Sequence, residues 1–322
     1  MVVLGRSPRA LYGSIPTNSS TTSGENIMAS PAKLKKVLIT GAGTGFGYEV
    51  AMRLAEKGFD VVAAVEIYGQ VQTLKRQAAE RGVTLQVEKL DVTNDGDRRK
   101  ALDWDIEILI NNAGIGEGGS TVDIPGENIR RQFEVNVTGP LLLTQGIAKQ
   151  MVKRGQGRIV WVSSREGLNV NPFTGIYSAS KHAVEAVAES MKDELQEFGI
   201  EVATMNPGPF LTGFNDRIFQ TWESWEDDPA DRLFDYASLA FPRPQFNPEP
   251  VYKTLTALAA GEIDTYRNLE PQSMLEETKQ LIEAPWGKKT TDGLGERNAS
   301  IQKAFDMTPE QLRDDQDPIP AP

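Results

Sequence analysis

Short apolar, β-branched runs alternate with longer stretches of helical periodicity through the first two thirds of the chain. Val37-Leu38-Ile39 reads as a buried strand, and Val50, Leu54 and Ala55 form one face of a helix that ends near Gly58. Val61 to Val65 is a second strand, followed by a helix over 69–81 with Val71, Leu74 and Ala78 as its apolar stripe. Val83 to Glu88 alternates as a third strand, and Ile106 to Ile110 forms a fourth. One helix is then predicted over roughly 126–153, with a polar Asn136 amid the apolar, helix-breaking stretch Phe133 to Pro140. Such a residue needs a hydrogen-bond partner, as a kink filler or as part of a site. Gly157-Arg158 opens a fifth strand, Ile159 to Val162. A helix from about Tyr177 packs through Val184, Val187, Met191 and Leu195, and Ile200 to Met205 is a sixth strand. Strands separated by helices predict an α/β fold with a doubly wound parallel sheet, in which ligands bind at the carboxyl ends of the strands.

The remainder is less regular. Residues 251–260 look helical, a short last strand falls near Asp264 to Leu269, and Glu276 to Glu283 reads as a short helix. One compact domain is expected over 34–284. Residues 285–322 show no firm pattern and are expected to be a loosely ordered extension. Residues 1–33, rich in Ser, Thr, Gly and Pro, read as a disordered leader. Arg6 and Arg9 with few acids give the leader a faint likeness to an organellar transit peptide, while Met28 could itself open the compact chain.

Composition removes several kinds of chemistry. The 322 residues contain no cysteine, which excludes disulfides, thiol catalysis and Cys-ligated metals. The single histidine, His182, is too little for a zinc site and reads as a surface or packing residue; no metal is expected. A net charge of −11 argues against nucleic acid as a partner. No apolar run is long enough to span a bilayer. With 39% hydrophobic and 25% charged residues, the chain has the balance of a globular protein, and a cytoplasmic location is expected.

The chemistry therefore falls to Tyr, Lys, Ser, Asn, carboxylates or a bound cofactor. Lys181 lies four residues after Tyr177, so the phenol and the ammonium project from the same helical face. A hydroxyl at the end of the fifth strand, Ser163 or Ser164, would meet them across the intervening loop. A free tyrosine has a pKa of about 10, and a fixed cation nearby lowers it. That is one way to make a general acid/base; the plain alternative is an ordinary helix-surface pair. Upstream, Thr40-Gly41-Ala42-Gly43-Thr44-Gly45-Phe46-Gly47 joins a strand to a helix, the context in which backbone N–H groups meet a pyrophosphate. No Gly-Lys-Ser/Thr follows, so the loop is not a Walker A motif. Glu66, at the end of the second strand, would accept hydrogen bonds from a ribose and repel a 2′-phosphate; the plain alternative is a solvated loop residue. No Arg or Lys stands in the loop or directly after that strand, which favours NAD(H) over NADP(H). Asn111-Asn112-Ala113-Gly114 ends the fourth strand with small residues and two amides, where a ligand can lie against the backbone.

Over residues 34 to 213 these features, in this order, resemble the short-chain dehydrogenase/reductase family with its Rossmann fold. Gly41, Thr44, Gly45, Phe46 and Gly47 fall in what looks like the cofactor loop, and Asp91-Val92 is similar to the pair that meets the adenine. Asn112, Ala113 and Gly114 lie in the central-strand motif, and Pro207, Gly208 and Thr212 in the segment around the nicotinamide. The resemblance implies that Tyr177 exchanges a proton with the substrate oxygen, and that Lys181 holds the ribose and lowers the tyrosine's pKa. It makes Ser164, thirteen residues before Tyr177, the serine that orients the carbonyl, and Asn136 the holder of a relay water. Three features depart from the family. The stretch between Asp91 and Asn111 is short, Val65 occupies the usual aspartate position with Glu66 following it, and Arg165 and Glu166 replace small residues after the serine.

The implied reaction is interconversion of a secondary alcohol and a ketone or aldehyde. The alternatives are a catalytically silent dinucleotide-binding sensor or scaffold, and a same-fold isomerase or dehydratase. The stretch 210–250 carries nine aromatic residues, from Phe210 to Phe246, and is expected to be a substrate lid over an apolar or cyclic alcohol or carbonyl compound; the plain alternative is that the aromatics only anchor the lid to the body. By analogy with the family a homodimer or homotetramer is expected.

Overall fold

The computed structural model describes residues 35–242 and 244–307. The predicted leader, and the extension from residue 308 onward, lie outside them. In chain order the elements are β1 (Lys36–Ile39), α1 (Gly45–Glu56), β2 (Asp60–Val65), α2 (Tyr68–Glu80), β3 (Gln86–Lys89) and α3 (Asp95–Ala101). They continue with β4 (Ile108–Asn111), α4 (Gly126–Phe133), α5 (Gly139–Arg154), β5 (Gly157–Val162), α6 (Gly175–Leu195) and β6 (Ile200–Pro207). Last come α7 (Phe214–Ile218), α8 (Glu249–Ala260), β7 (Arg267–Glu270), α9 (Leu275–Glu283) and α10 (Ala299–Asp306).

All seven strands pair in parallel, in the order β3-β2-β1-β4-β5-β6-β7. This is the doubly wound Rossmann arrangement. Buried strands read as continuous apolar runs because both faces are covered. Val37, Ile39, Ile108, Ile110 and Val160 face one core with α1, α2 and α8. Their neighbours Leu38, Leu109, Ile159 and Trp161 face the other with α5 and α6. Chain order reverses between β1 and β4, so the loops after these strands diverge and leave a crevice at the carboxyl edge.

Four departures from the expected elements have local causes. β3 begins at Gln86 rather than Val83, because pairing with β2 starts only at Val62↔Gln86. The helix around Lys181 begins at Gly175, two residues before Tyr177. The single long helix over 126–153 is interrupted: Glu134–Thr138 is a π-helical turn in which the Gly139 N–H donates to the Glu134 carbonyl five residues back. Pro140 lacks an N–H to continue the normal ladder, and a one-residue widening accommodates it. Finally, α10 forms in the tail, where eight residues carry too short an apolar stripe to be read alone. Ala304 of α10 is fully buried in a third cluster with Trp225, Tyr236, Phe173 and Ile124, flanked by Ile301 and Phe305.

That cluster also fastens the expected lid segment. Trp225 Nε1 donates to the buried Glu117 carboxylate at 2.7 Å, and the Tyr236 hydroxyl donates to Asp123 at 2.6 Å. Gly118 lies so close beneath this segment that a Cβ would come within 2.7 Å of Ile218 Cγ2. The Ala304→Glu variant should release α10 to protease while shifting the global unfolding free energy by less than about 1 kcal/mol, since the sheet core is elsewhere. Limited proteolysis beside urea denaturation checks this.

Candidate active site

At the carboxyl edge of the sheet a cavity of about 1010 Å³ runs from the loops after β1 and β2, past those after β4 and β5, to the segment after β6. Its floor is set by the β1 and β4 ends. Thr40 Oγ1 accepts from the backbone N–H groups of Asn112 and Ala113, each at 3.0 Å. Asn112 Nδ2 donates back to the Thr40 carbonyl at 2.9 Å and the Gly41 carbonyl at 3.1 Å. Gly41 (φ 65°) and Gly45 (φ 59°) adopt the left-handed conformation that lets the loop turn into α1.

Of the residues expected to hold a dinucleotide, Gly41, Thr44, Gly45, Phe46, Glu66, Asp91 and Val92 line the cavity at one end. Asn112, Ala113 and Gly114 line its middle, and Pro207, Gly208 and Thr212 the far side. Gly47 does not face the cavity; it is buried beneath the loop, where a Cβ would fall on Asn112 Nδ2 and within 2.6 Å of the Gly41 carbonyl oxygen. Glu66 is exposed at the rim. This small-residue cradle at a helix N-terminus fits a dinucleotide pyrophosphate. Among the described residues no cluster of His, Asp and Glu could hold a metal, and no helix is long and apolar enough to cross a membrane.

Ser164, Tyr177 and Lys181 meet at the middle of the same cavity, all under a tenth exposed. The structure separates the two serines. Ser164 Oγ accepts from the Glu166 N–H at 3.1 Å, donates to the Pro207 carbonyl at 3.4 Å and is the hydroxyl that acts on the Tyr177 phenol, whereas Ser163 Oγ lies against Gly167. Lys181 Nζ donates to the Val162 carbonyl at 2.9 Å and sits 5.8 Å from the centre of the Tyr177 ring. Asn136 does not line the cavity. Its amide is taken up by Ile115, accepting from N–H and donating to C=O at 2.9 Å each, and by Ser180 Oγ at 3.1 Å. Its Oδ1 and Lys181 Nζ flank Gly114: a Cβ there would stand 3.3 Å from one and 3.6 Å from the other.

The expectation that Lys181 lowers the tyrosine's pKa is not what this arrangement produces. Burial pushes the Tyr177 phenol up, the Ser164 hydrogen bond pulls it partly back, and the Glu166 carboxylate adds to the rise. Lys181 itself is pushed down to about 8 by burial, with the Glu185 carboxylate opposing. Desolvation dominates the shift of both groups, and the ammonium turns to the Val162 carbonyl rather than to the phenol.

Arg165 and Glu166 do not pair with each other. Arg165 is buried and reaches α9, donating to Thr278 Oγ1 at 2.8 Å and pairing with Glu277. Glu166 lines the cavity and gathers the loop before α6, accepting from Asn171, from Thr174 Oγ1 at 3.0 Å and from Ser178 Oγ at 2.7 Å. The aromatic stretch divides its labour. Phe214, Phe219, Phe241 and Phe246 line the cavity, with Phe214 5.7 Å from the Tyr177 ring, while Trp225, Phe234 and Tyr236 serve as anchors. His182 is exposed, its Nδ1 2.9 Å from the Ser178 carbonyl.

Residues 35–223 match the family model described as short chain dehydrogenase. This is more than half of the chain, and the chain belongs to the short-chain dehydrogenase family of oxidoreductases. It is similar to the uncharacterized oxidoreductase YusZ of Bacillus subtilis, 36% identical over 55% of this chain and 66% of that protein. Retinol dehydrogenase 8 of Homo sapiens is 35% identical over 57% of this chain and 61% of its own length. The chain thus spans less than two thirds of these curated relatives. Among solved structures, a short-chain dehydrogenase from Sphingobium yanoikuyae in complex with NADPH superposes with a TM-score of 0.63 at 26% identity, covering 79% of this chain and 94% of that one.

The lowered pKa of Lys181 carries a sign for stability. Below pH 8 the lysine is protonated whether the chain is folded or not, and burying its charge opposes folding in full. Between about 8 and 10.5 the unfolded chain holds a proton that the folded chain has released, so stability rises with pH across that window. In cofactor-free protein Lys181→Met should therefore be more stable than the wild type below pH 8, by up to about 3 kcal/mol, with the gap closing towards pH 10.5. Denaturation at a series of pH values reads the gap.

Proposed function

We propose that the chain is a nicotinamide-dependent oxidoreductase that interconverts a secondary alcohol and a ketone or aldehyde. The observation that carries this is the convergence of Ser164, Tyr177 and Lys181 on one buried stretch of a cavity whose other end is a glycine-lined dinucleotide cradle. When bound there, the nicotinamide supplies the hydride. Ser164 would hydrogen-bond and orient the carbonyl oxygen beside Tyr177. Burial keeps the Tyr177 phenol protonated near neutrality, the form that donates a proton to that oxygen as it gains charge. Lys181 would hold the ribose hydroxyls and bring positive charge to the ring once they draw it from Val162. Asn136 braces the loop after β4 beside Gly114, and a relay water would sit between its segment and Lys181 Nζ.

The side chains around the reacting position support an apolar or cyclic substrate. Phe214 and Phe219, with Ile218 and Met274, make the cavity wall apolar, and such a wall gains from burying hydrocarbon. Glu66 supports NAD(H), because its rim position would set a carboxylate against a 2′-phosphate, although the Sphingobium relative holds NADPH.

Two measurements test the reading. Tyr177→Phe should lower kcat by about 10³-fold or more with dinucleotide affinity nearly unchanged. Full turnover by that variant sinks the assignment. In titrations the wild type should bind NADH more tightly than NADPH, and Glu66→Ala should improve NADPH binding by roughly tenfold, one repulsive contact's worth. Tighter NADPH binding by the wild type would remove Glu66 from that role and leave the catalytic set untouched.

A further inference from the structure

Glu185 is a carboxylate of the interior, 6% exposed, and the reaction as described makes no use of it. It stands one turn after Lys181 on α6, facing the end of the sheet. Its Oε1 accepts from Asn206 Nδ2 at 2.5 Å, and the same amide nitrogen donates to the Ser164 carbonyl at 3.2 Å. Asn206 is fully buried at the end of β6 and is fixed from the other side by Thr204 Oγ1, which donates to its Oδ1 at 3.0 Å. Glu185 Oε2 accepts from Arg267 of β7 at 3.0 Å. The carboxylate stem packs under the turn after Ser164, where a Cβ on Gly167 would lie 3.1 Å from Glu185 Cγ and 3.0 Å from the Lys181 carbonyl oxygen. One side chain thus touches or holds the strand end of the serine, the helix of the lysine and the last strand of the sheet.

A buried carboxylate with no task would be costly to keep, since apolar packing serves stability at least as well. We propose that Glu185 is a positioning residue of the catalytic centre: through Asn206 it fixes the backbone that carries Ser164, and it supplies the negative charge that acts on the Lys181 ammonium. The inference rests on the reading of Ser164, Tyr177 and Lys181 as the reacting set. The titratable and charged groups around the lysine are Tyr177 and Glu185 on α6. Glu166, from the turn after β5, faces Tyr177, while Arg267 of β7 pairs with both Glu185 and Glu189. Asn136 and Gly114, on the remaining side, are neutral. Glu185 favours the charged lysine, and Arg267, 38% exposed, tempers Glu185.

Two variants separate positioning by charge from plain structural support. Glu185→Gln retains the length and the acceptor for Asn206 and removes the charge. Arg267→Met retains the carboxylate and removes its outer partner. In kcat against pH, the alkaline limb set by Lys181 should move down by about one unit in Glu185→Gln and up by about half a unit in Arg267→Met. KM and dinucleotide affinity should stay within about threefold in both, with kcat of Glu185→Gln reduced roughly tenfold. An unmoved limb in both variants, whatever happens to kcat, overturns the proposal, because a structural role alone changes rate without changing ionisation. If the wild type turns over no carbonyl compound, the functional reading fails by itself. The ionisation of Lys181 is then read from the pH at which the stability gap between Lys181 and Lys181→Met proteins begins to close, which is set by the folded lysine. An onset lowered by Glu185→Gln upholds the action of Glu185 on the lysine, and an unchanged one overturns it.

Discussion

The site depends first on a clamp between two strand ends. Thr40 and Asn112 exchange hydrogen bonds through both side chains and backbone, and in doing so they lock the glycine loop after β1 to the loop after β4. These two strands flank the point where the sheet reverses its winding, and the clamp ties their ends together at the base of the crevice that the loops beyond them leave. Each of the bonds is worth little net, yet leaving such buried groups unpaired would be expensive. Gly47 belongs to the same device: any side chain there would drive Asn112 away from the loop. The cradle is thus kept in shape by its supports before any ligand enters.

Around the reacting position the protein buries groups whose charged forms water would otherwise stabilise. The phenol and the ammonium are both displaced towards their neutral forms. The neighbouring carboxylates are each given donors: Glu185 by Asn206 and Arg267, Glu166 by Asn171, Thr174 and Ser178. A low-dielectric site of this kind makes each charge count for more, and it demands that each be held by a defined partner. The π-helical turn at Asn136 contributes in the same sense. The widened turn buries an amide that matches both backbone groups of Ile115, so the wall of the cavity beside Lys181 is a fixed surface.

Much of this was legible along the chain. Apolar runs marked five of the six strands from Val37 to Met205, because strands covered on both faces are continuously hydrophobic, while the edge strands β3 and β7 carried weaker patterns and β3 begins later than its alternation suggested. The Tyr177–Lys181 spacing, the glycine loop and the Asn-Asn-Ala-Gly turn are local patterns, and each falls at the cavity. Less legible were residues whose meaning lies in distant partners. Arg165 and Glu166 are neighbours of opposite charge in the chain, yet one reaches across to α9 and the other down to α6. Glu185 looked like any polar residue on a helix, since only the position of β6 brings Asn206 to it. The direction of the Tyr177 shift also escaped the sequence. Spacing places a cation nearby but says nothing of burial, and burial is the larger effect.

What the sequence determined by itself is the order of elements, the parallel winding of the sheet and the identity of the groups that gather at its carboxyl edge. These follow from periodicity and from short motifs whose interactions are local or imposed by the chirality of βαβ connections. Tertiary structure decided which serine acts on the phenol, which glycine is a support rather than a lining, and how α10, within the expected loose tail, packs on the aromatic cluster of Trp225 and Tyr236. It also decided the electrostatic state of the site. The physical reason is the same in each case: desolvation and long-range hydrogen bonds depend on what surrounds a side chain in space, and a linear pattern records only what precedes and follows it.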